Sequence, residues 1–473
     1  MSRHEPGPRP GLVGVESGDE VRKAFERSTG GTVNRRDVLQ LVPAAAGGWA
    51  LARGSLAWAE PAVPLRAELS WWREARFGMF VHWGPVSLRG TEIGWSRGKE
   101  VPVEEYDALY RRFDPTLFDA RAWARLARDA GMGYLVLTTK HHDGFCLWPS
   151  AFTDYDIAST PFGRDVVREL ADACRSEGIV FSAYHSICDW RHPDYPLGSP
   201  GGEARKPAPD MDRYVSYLKG QLAELLQSYG PLGVLWFDGE WEGPWTEERG
   251  LDLYRYCRAL QPSLIVNNRV AKGRQGLDGA TAAGAFGGDY DTPEQQVGRF
   301  QADRPWESCI TLCQQWAWKP DDELKPLDEC VRTLATCAGG DGNLLLNVGP
   351  MPTGEIEPRQ AARLREIGGW LKAHGEAVYG TRGGPFLPGE WGVSTHRGRS
   401  VYLHVLRWPA AGPVVLPALE RRIVASSVLG GGTADAKQAA AGTAVHVAPE
   451  HRRPIDTVVR LELDGPAGML PPR

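Results

Sequence analysis

The chain has 473 residues, 42% hydrophobic and 24% charged, an ordinary soluble composition with length for a large catalytic domain and a smaller one. A formal net charge of -5, with no basic run interleaved with aromatics, excludes a nucleic-acid partner of the usual electrostatic kind. The 18 tryptophans stand above average, and flat rings in such numbers serve either to stack on apolar sugar faces or to fill a thick core.

Residues 1–33 are polar and rich in Gly and Pro. A twin arginine, Arg35-Arg36, then precedes an apolar stretch from Leu41 to Leu51 that ends near Ala57-Trp58-Ala59. That order predicts a signal peptide over 1–59, cleaved after Ala59, and export to the periplasm or medium by the twin-arginine route. The apolar stretch contains Pro43 and falls short of the ~20 residues a bilayer-spanning helix needs, so no membrane span is expected in the mature chain. None of the eight cysteines forms a C-x-x-C pair, and Cys309 with Cys313 has no further ligand at zinc-site spacing. Free, buried thiols are expected, with no metal and no cofactor.

From residue 60 to 380 short apolar runs alternate with longer amphipathic stretches. The candidate strands are Gly78–Trp83, Tyr134–Thr139, Ile179–Tyr184, Val234–Phe237, Leu264–Asn267, a weak one near Phe286–Tyr290, Cys309–Leu312 and Asn343–Val348. Helical periodicity runs over Leu117–Ala130, Arg164–Glu177, Met211–Tyr229 and Leu251–Leu260. Eight strands with intervening helices predict an α/β, (β/α)8-like barrel of the TIM type, although helices after the fifth and sixth strands are hard to find. Over 381–473 the texture changes to short alternating segments such as Val401–Leu406 and Thr457–Leu463, which predict a C-terminal β-sandwich.

A barrel of this type carries its chemistry at the carboxyl ends of its strands. Those ends read His82-Trp83, Lys140-His141-His142-Asp143, Tyr184-His185, Trp236 to Asp238, Asn268-Arg269, Asp289 to Glu294, Glu307 and Asn347. Asp238 follows an apolar run and precedes Gly239, so a rigid strand can aim its carboxylate into a pocket, or the pair can be an ordinary Asp-Gly turn. Retaining glycoside hydrolysis needs a second carboxyl about 5 to 5.5 Å away. Glu294 and Glu307 are the candidates; a solvated loop acid and a partner for Arg269 or Arg304 are the respective bland readings. Adjacent strand residues face opposite ways, so His141 and His142 suit sugar hydroxyls better than one shared metal ion. His82, His141, His142 and His185 all fall at strand ends, and at least two are expected to face a ligand.

These residues resemble the family 29 glycoside hydrolases, the α-L-fucosidases. The resemblance runs from Trp71 to Tyr379 through Phe77–Gly84, Lys140–Phe145, Trp236–Gly239, Trp306-Glu307-Ser308-Cys309 and Gly339–Pro350. It implies an irregular barrel followed by a β-sandwich, a retaining mechanism without metal, and a fucosylated glycan as substrate. It further implies Asp238 as nucleophile, Trp236 as an aromatic of its pocket, His82, His141 and His142 as fucose-hydroxyl ligands, and Arg269 beside the acid/base. His185 matches a position held by Tyr or His. For the acid/base the segment Asp291-Thr292-Pro293-Glu294 favours Glu294, while the Trp-Glu motif offers Glu307. At Glu92-Ile93-Gly94-Trp95, where many members read Glu-Trp-Tyr, Trp95 is expected to take the stacking role. A sugar-binding relative without catalysis, and a hydrolase of another fucose-like sugar, are the competing readings.

Overall fold

Residues of period two on each core strand sort into two sets, and the fold follows from that sorting. A computed structural model describes residues 67–473; the predicted leader lies outside the described residues. Helix α1 (Ser70–Ala75) leads into β1 (Phe77–Val81), and then come α2 (Ala120–Asp129), β2 (Tyr134–Lys140), α3 (Val166–Glu177), β3 (Val180–Ser186), α4 (Met211–Ser228), β4 (Val234–Asp238), α5 (Glu247–Leu260) and β5 (Ile265–Val266). After a long excursion follow β6 (Glu307–Thr311), α6 (Leu327–Gly339), β7 (Asn343–Val348) and α7 (Pro358–His374). Asp119, Asp165, Asp210 and Thr246 cap four of these helices by accepting first-turn backbone N–H groups, which fixes where each begins.

The seven strands form one parallel sheet in the order β5-β4-β3-β2-β1-β7-β6. The expected sixth strand near Phe286–Tyr290 does not form as a ladder. The ring is joined there by single parallel bridges, Asn267 to Tyr290, Asp291 to Trp306 and Glu294 to Cys309. Gly287 and Gly288 explain the loss, because a strand interior without side chains has nothing to pack and much entropy to lose, and Gly288 turns to φ +54°. The architecture is nonetheless that of a (β/α)8-like barrel.

One set of strand residues, including Met79, Leu135, Leu137, Phe181, Ala183, Leu235, Phe237 and Leu346, packs outward under the helices. The other set points into the barrel: Phe80, Tyr134, Val136, Tyr184, Trp236, Tyr290, Cys309 and Leu345, joined by Trp72 from α1. The barrel interior is therefore a small aromatic core, and the site sits on top of it.

Beyond the barrel β8 (Arg382–Gly383), β9 (Gly392–Arg397), β10 (Ser400–Val405), β11 (Val414–Leu416), β12 (Ile423–Val428), β13 (Asp435–Ala439), β14 (Gly442–His446) and β15 (Thr457–Leu463) form two antiparallel sheets, β12-β15-β10-β9-β8 and β11-β14-β13. Val401, Leu403, Val414, Leu416, Val445, Val459 and Leu461 share their own core. All eight cysteines are free and buried. Among the described residues no helix is long and apolar enough to cross a membrane.

Candidate active site

Asp238 is the last residue of β4, on the inward parity of Trp236. The chain leaves it sharply because Gly239 adopts φ +100°, and a Cβ at Gly239 would lie 2.4 Å from Cys188 Sγ. Arg269 donates from Nη1 to Asp238 Oδ1 at 2.9 Å, and Tyr184 donates its hydroxyl to Oδ2 at 3.1 Å. His142 Nε2 stands 3.6 Å from Oδ2. Burial alone would raise the Asp238 carboxyl, but the Arg269 guanidinium, with the Arg274 charge behind it, outweighs it and holds the group below its ordinary value.

The other terminal nitrogen of Arg269 donates to Glu294 Oε2 at 2.8 Å. One planar guanidinium thus spans both carboxylates and keeps them as near neighbours, the arrangement that retaining hydrolysis needs. Arg269 is itself held: its Nε donates to Thr292 Oγ1 at 2.9 Å, and its guanidinium lies 4.5 Å from the centre of the Trp236 ring. Glu294 is therefore no freely solvated loop acid, its side chain being 20% exposed.

The pocket above these groups has a volume of about 210 Å³, below the roughly 300 to 1,000 Å³ of drug-sized sites and suited to one sugar ring. His82, Trp95, His141, Trp236, Asp238, Arg269 and Glu294 line it. Asn347 donates from its amide to Trp316 O at 2.7 Å, which turns its oxygen to His82 Nδ1 at 2.6 Å. His82 therefore carries its proton on Nδ1 and offers Nε2 as an acceptor. Burial pushes His82 down to about 3, so it is neutral at ordinary pH. The same holds in direction for His141 and His142, both lowered chiefly by burial. Ser186 donates its hydroxyl to Cys188 O at 2.8 Å and so accepts from His142 Nδ1 at 2.6 Å. That leaves His142 Nε2 a buried acceptor without a partner, beside Asp238. His141 lies flat on Tyr184, with ring centres 5.3 Å apart and 7° between planes. Both histidines reach this side because the β2–β3 register shifts between Thr138 and Lys140 and regular pleating ends there. Among the described residues no three His, Cys, Asp or Glu side chains stand together as a metal site.

Two expected residues lie elsewhere. His185 shares the outward parity of Phe181 and Ala183, so it packs behind the barrel wall against Trp148, 5.8 Å between ring centres, with Thr139 Oγ1 at 3.5 Å. Its neighbour Tyr184 takes the pocket position. Glu307 begins β6 and lies at the amino end of the barrel interior, with no exposure and no place in the pocket lining. Arg269 and Arg304 do not pair with it either; Arg304 holds Asp291 at 2.6 Å.

Sequence reasoning missed Trp241, Arg274, Leu277 and Trp316 on the pocket wall. Trp241, 40% exposed, stacks on Trp95 with ring centres 6.1 Å apart. Arg274 is tied to Glu240 at 2.7 Å. Trp241 lies three positions past Asp238 and was findable by proximity; the others sit in stretches whose folding nothing local signals.

A barrel that presents two carboxyls on one arginine, among neutral histidine acceptors and aromatic walls, is a glycoside hydrolase. The family model described as Alpha-L-fucosidase matches residues 57–376. Tissue alpha-L-fucosidase of Bos taurus is 30% identical over 386 residues, covering 74% of this chain and 78% of that protein. Alpha-L-fucosidase isoenzyme 1 from Paenibacillus thiaminolyticus superposes with a TM-score of 0.76 at 35% identity, covering 84% of this chain and 99% of that one. A trapped covalent intermediate of the Bacteroides thetaiotaomicron enzyme with 2-fluoro-fucosyl fluoride superposes with a TM-score of 0.75 at 28% identity, covering 85% and 97%. The chain belongs to the α-L-fucosidase family.

Proposed function

We propose that the chain is a retaining, exo-acting α-L-fucosidase that removes terminal α-L-fucosyl groups from oligosaccharides or glycoconjugates, with Asp238 as nucleophile and Glu294 as acid and then base. The observation that carries the reading is the Arg269 bridge between the two carboxyls. The trapped covalent intermediate of the Bacteroides thetaiotaomicron relative supports it.

Asp238 attacks the anomeric carbon while Glu294 delivers its proton to the departing glycosidic oxygen, and a fucosyl-Asp238 ester forms as the aglycone leaves. Water then enters, Glu294 takes its proton, and the hydroxide oxygen displaces the carboxylate, so two inversions retain configuration. Arg269 keeps Asp238 ionised and ready to attack. His82 on the pocket wall presents an unprotonated Nε2 to accept from a fucose hydroxyl, His142 offers the same acceptor from just behind the wall beside Asp238, and Trp236 and Phe80 suit the apolar face. Arg35-Arg36 ahead of the apolar stretch supports export of the folded chain by the twin-arginine route.

The decisive experiment is turnover of an aryl α-L-fucoside with the first-formed anomer followed by NMR. α-L-Fucose is expected first, and Asp238→Gly is expected to lose roughly 10³-fold or more. β-Fucose appearing first, or near wild-type turnover by Asp238→Gly, refutes the assignment. Lys-Lys in place of Arg35-Arg36 is expected to abolish export; unchanged export refutes the route.

A further inference from the structure

Glu307 is a carboxylate buried at 0% exposure, and no cation stands against it among the described ion pairs. What surrounds it is a ring of four donors. Trp72 Nε1, at 3.2 Å, and the Tyr134 hydroxyl donate to Oε2; Trp236 Nε1 and the Tyr290 hydroxyl donate to Oε1, each at 3.3 Å. Two donors to each oxygen come close to filling the acceptor capacity of a carboxylate. They come from α1, from the start of β2, from β4 and from the bridge segment ahead of β6, so a single side chain gathers four points of the barrel's circumference. An apolar or amide residue would cost less to bury than this one.

The Oε1 pair leads upward into the site. Trp236 is the pocket floor on which Arg269 lies at 4.5 Å, and Arg269 holds both Asp238 and Glu294. Tyr290 stands four residues before Glu294, on the segment that carries it. We propose that Glu307 is a positioning residue for the hydrolysis: through Trp236 it seats Arg269, and through Tyr290 it anchors the Glu294 segment, without touching substrate itself. This rests on the reading of Asp238 and Glu294 as the reacting carboxyls.

The test uses Glu307→Gln, Trp236→Phe, Tyr290→Phe and the double Glu307→Gln/Trp236→Phe variant, assayed from pH 4 to 9 on fucosyl fluoride and on an aryl fucoside with a poor leaving group. Glu307→Gln is expected to lose 10- to 100-fold in kcat/KM by the same factor on both substrates. Its acidic limb is expected at higher pH, because a loosened Arg269 no longer holds Asp238 down against burial; His142, Arg274, Tyr184 and Glu240 also face that carboxyl. The double variant should be no worse than the poorer single one, since both act on one contact. A loss concentrated on the poor leaving group, additive losses, or an unmoved limb would overturn the proposal. Were Glu307→Gln not to fold, Tyr290→Phe and Trp236→Phe still decide: both must move the limb the same way. Near-ultraviolet circular dichroism of Trp236, isolated by difference against Trp236→Phe, must change in Glu307→Gln whether or not fucosides turn over. An unchanged signal refutes the positioning role, whereas a wild type inactive on the fluoride refutes only the fucosidase reading.

Discussion

Replacing Arg269 by Met keeps an unbranched, flexible stem and removes the guanidinium with its charge. In the native site one guanidinium makes two charge-assisted bonds, 2.9 Å to Asp238 and 2.8 Å to Glu294, at a side-chain exposure of 3%. Removing one partner of a buried pair costs about 3 to 5 kcal/mol, because the charge left behind is uncompensated. Expressed as transition-state stabilisation, that is about 10²- to 10⁴-fold in kcat/KM. The sign of the pH effect follows from the opposing influences on Asp238. Burial raises its carboxyl and Arg269 is the largest influence lowering it, so without Arg269 the group takes up its proton at higher pH. An attacking carboxylate must be ionised, and the acidic limb of kcat/KM therefore moves upward. Arg269→Lys retains a cation but not the fork, and is expected to fall between the two, at about 10- to 100-fold. The assay is kcat/KM on an aryl α-L-fucoside across pH 4 to 9. An Arg269→Met enzyme within threefold of wild type, with its limb in place, would show that the clamp does not prepare the nucleophile.

Glu294→Ala is expected to slow substrates with poor leaving groups far more than fucosyl fluoride, and azide should rescue it; equal losses on both would remove it from the proton-donor role. For Glu307, burial pushes the carboxyl up to about 7 from an ordinary 4.5. A raised carboxyl favours the fold while protonated, so that contribution is complete below pH 4.5 and is lost as pH climbs to 7, about 3 kcal/mol in all. Urea unfolding at pH 5 and pH 8 should show this slope in wild type and lose it in Glu307→Gln, which is expected to be no less stable than wild type at pH 8. Gly239→Ala places a Cβ at φ +100° and 2.4 Å from Cys188 Sγ, and should cost about 1 to 3 kcal/mol of stability together with much of the activity. An active, undiminished Gly239→Ala would show that the turn after Asp238 is slack.

How much of this was legible in the sequence depended on which physical signal each residue carries. Strands β1 to β4 and β7 announce themselves as apolar runs because both of their faces are buried. The expected strand at Phe286–Tyr290 failed on its glycines, and β5 shrank to Ile265–Val266 beside it. His185 was misplaced for a different reason: at a strand end, the choice between Tyr184 and His185 is one of parity, and parity is visible only when the whole strand is counted from its outward residues Phe181 and Ala183. Glu307 misled because a carboxylate at a strand start is normally solvated or paired. No local pattern reports four donors converging from Trp72, Tyr134, Trp236 and Tyr290.

The single bridges between β5 and β6 put the two reacting carboxyls on very different footings. Asp238 ends a strand laddered to its neighbour β3 through Ala183 to Ser186, so moving it by one residue would reverse the facing of its whole strand. Glu294 rides the seam, tied by its own N–H to Leu277 O and bridged once to Cys309. The stretch from 271 to 289 belongs to no ladder, so what holds the proton donor in place is the Arg269 fork and these two single ties rather than a strand's register. A barrel closed in this way holds its point of attack by strand register and its acid by side-chain bonds, so loosening those bonds is expected to displace Glu294 before it displaces Asp238.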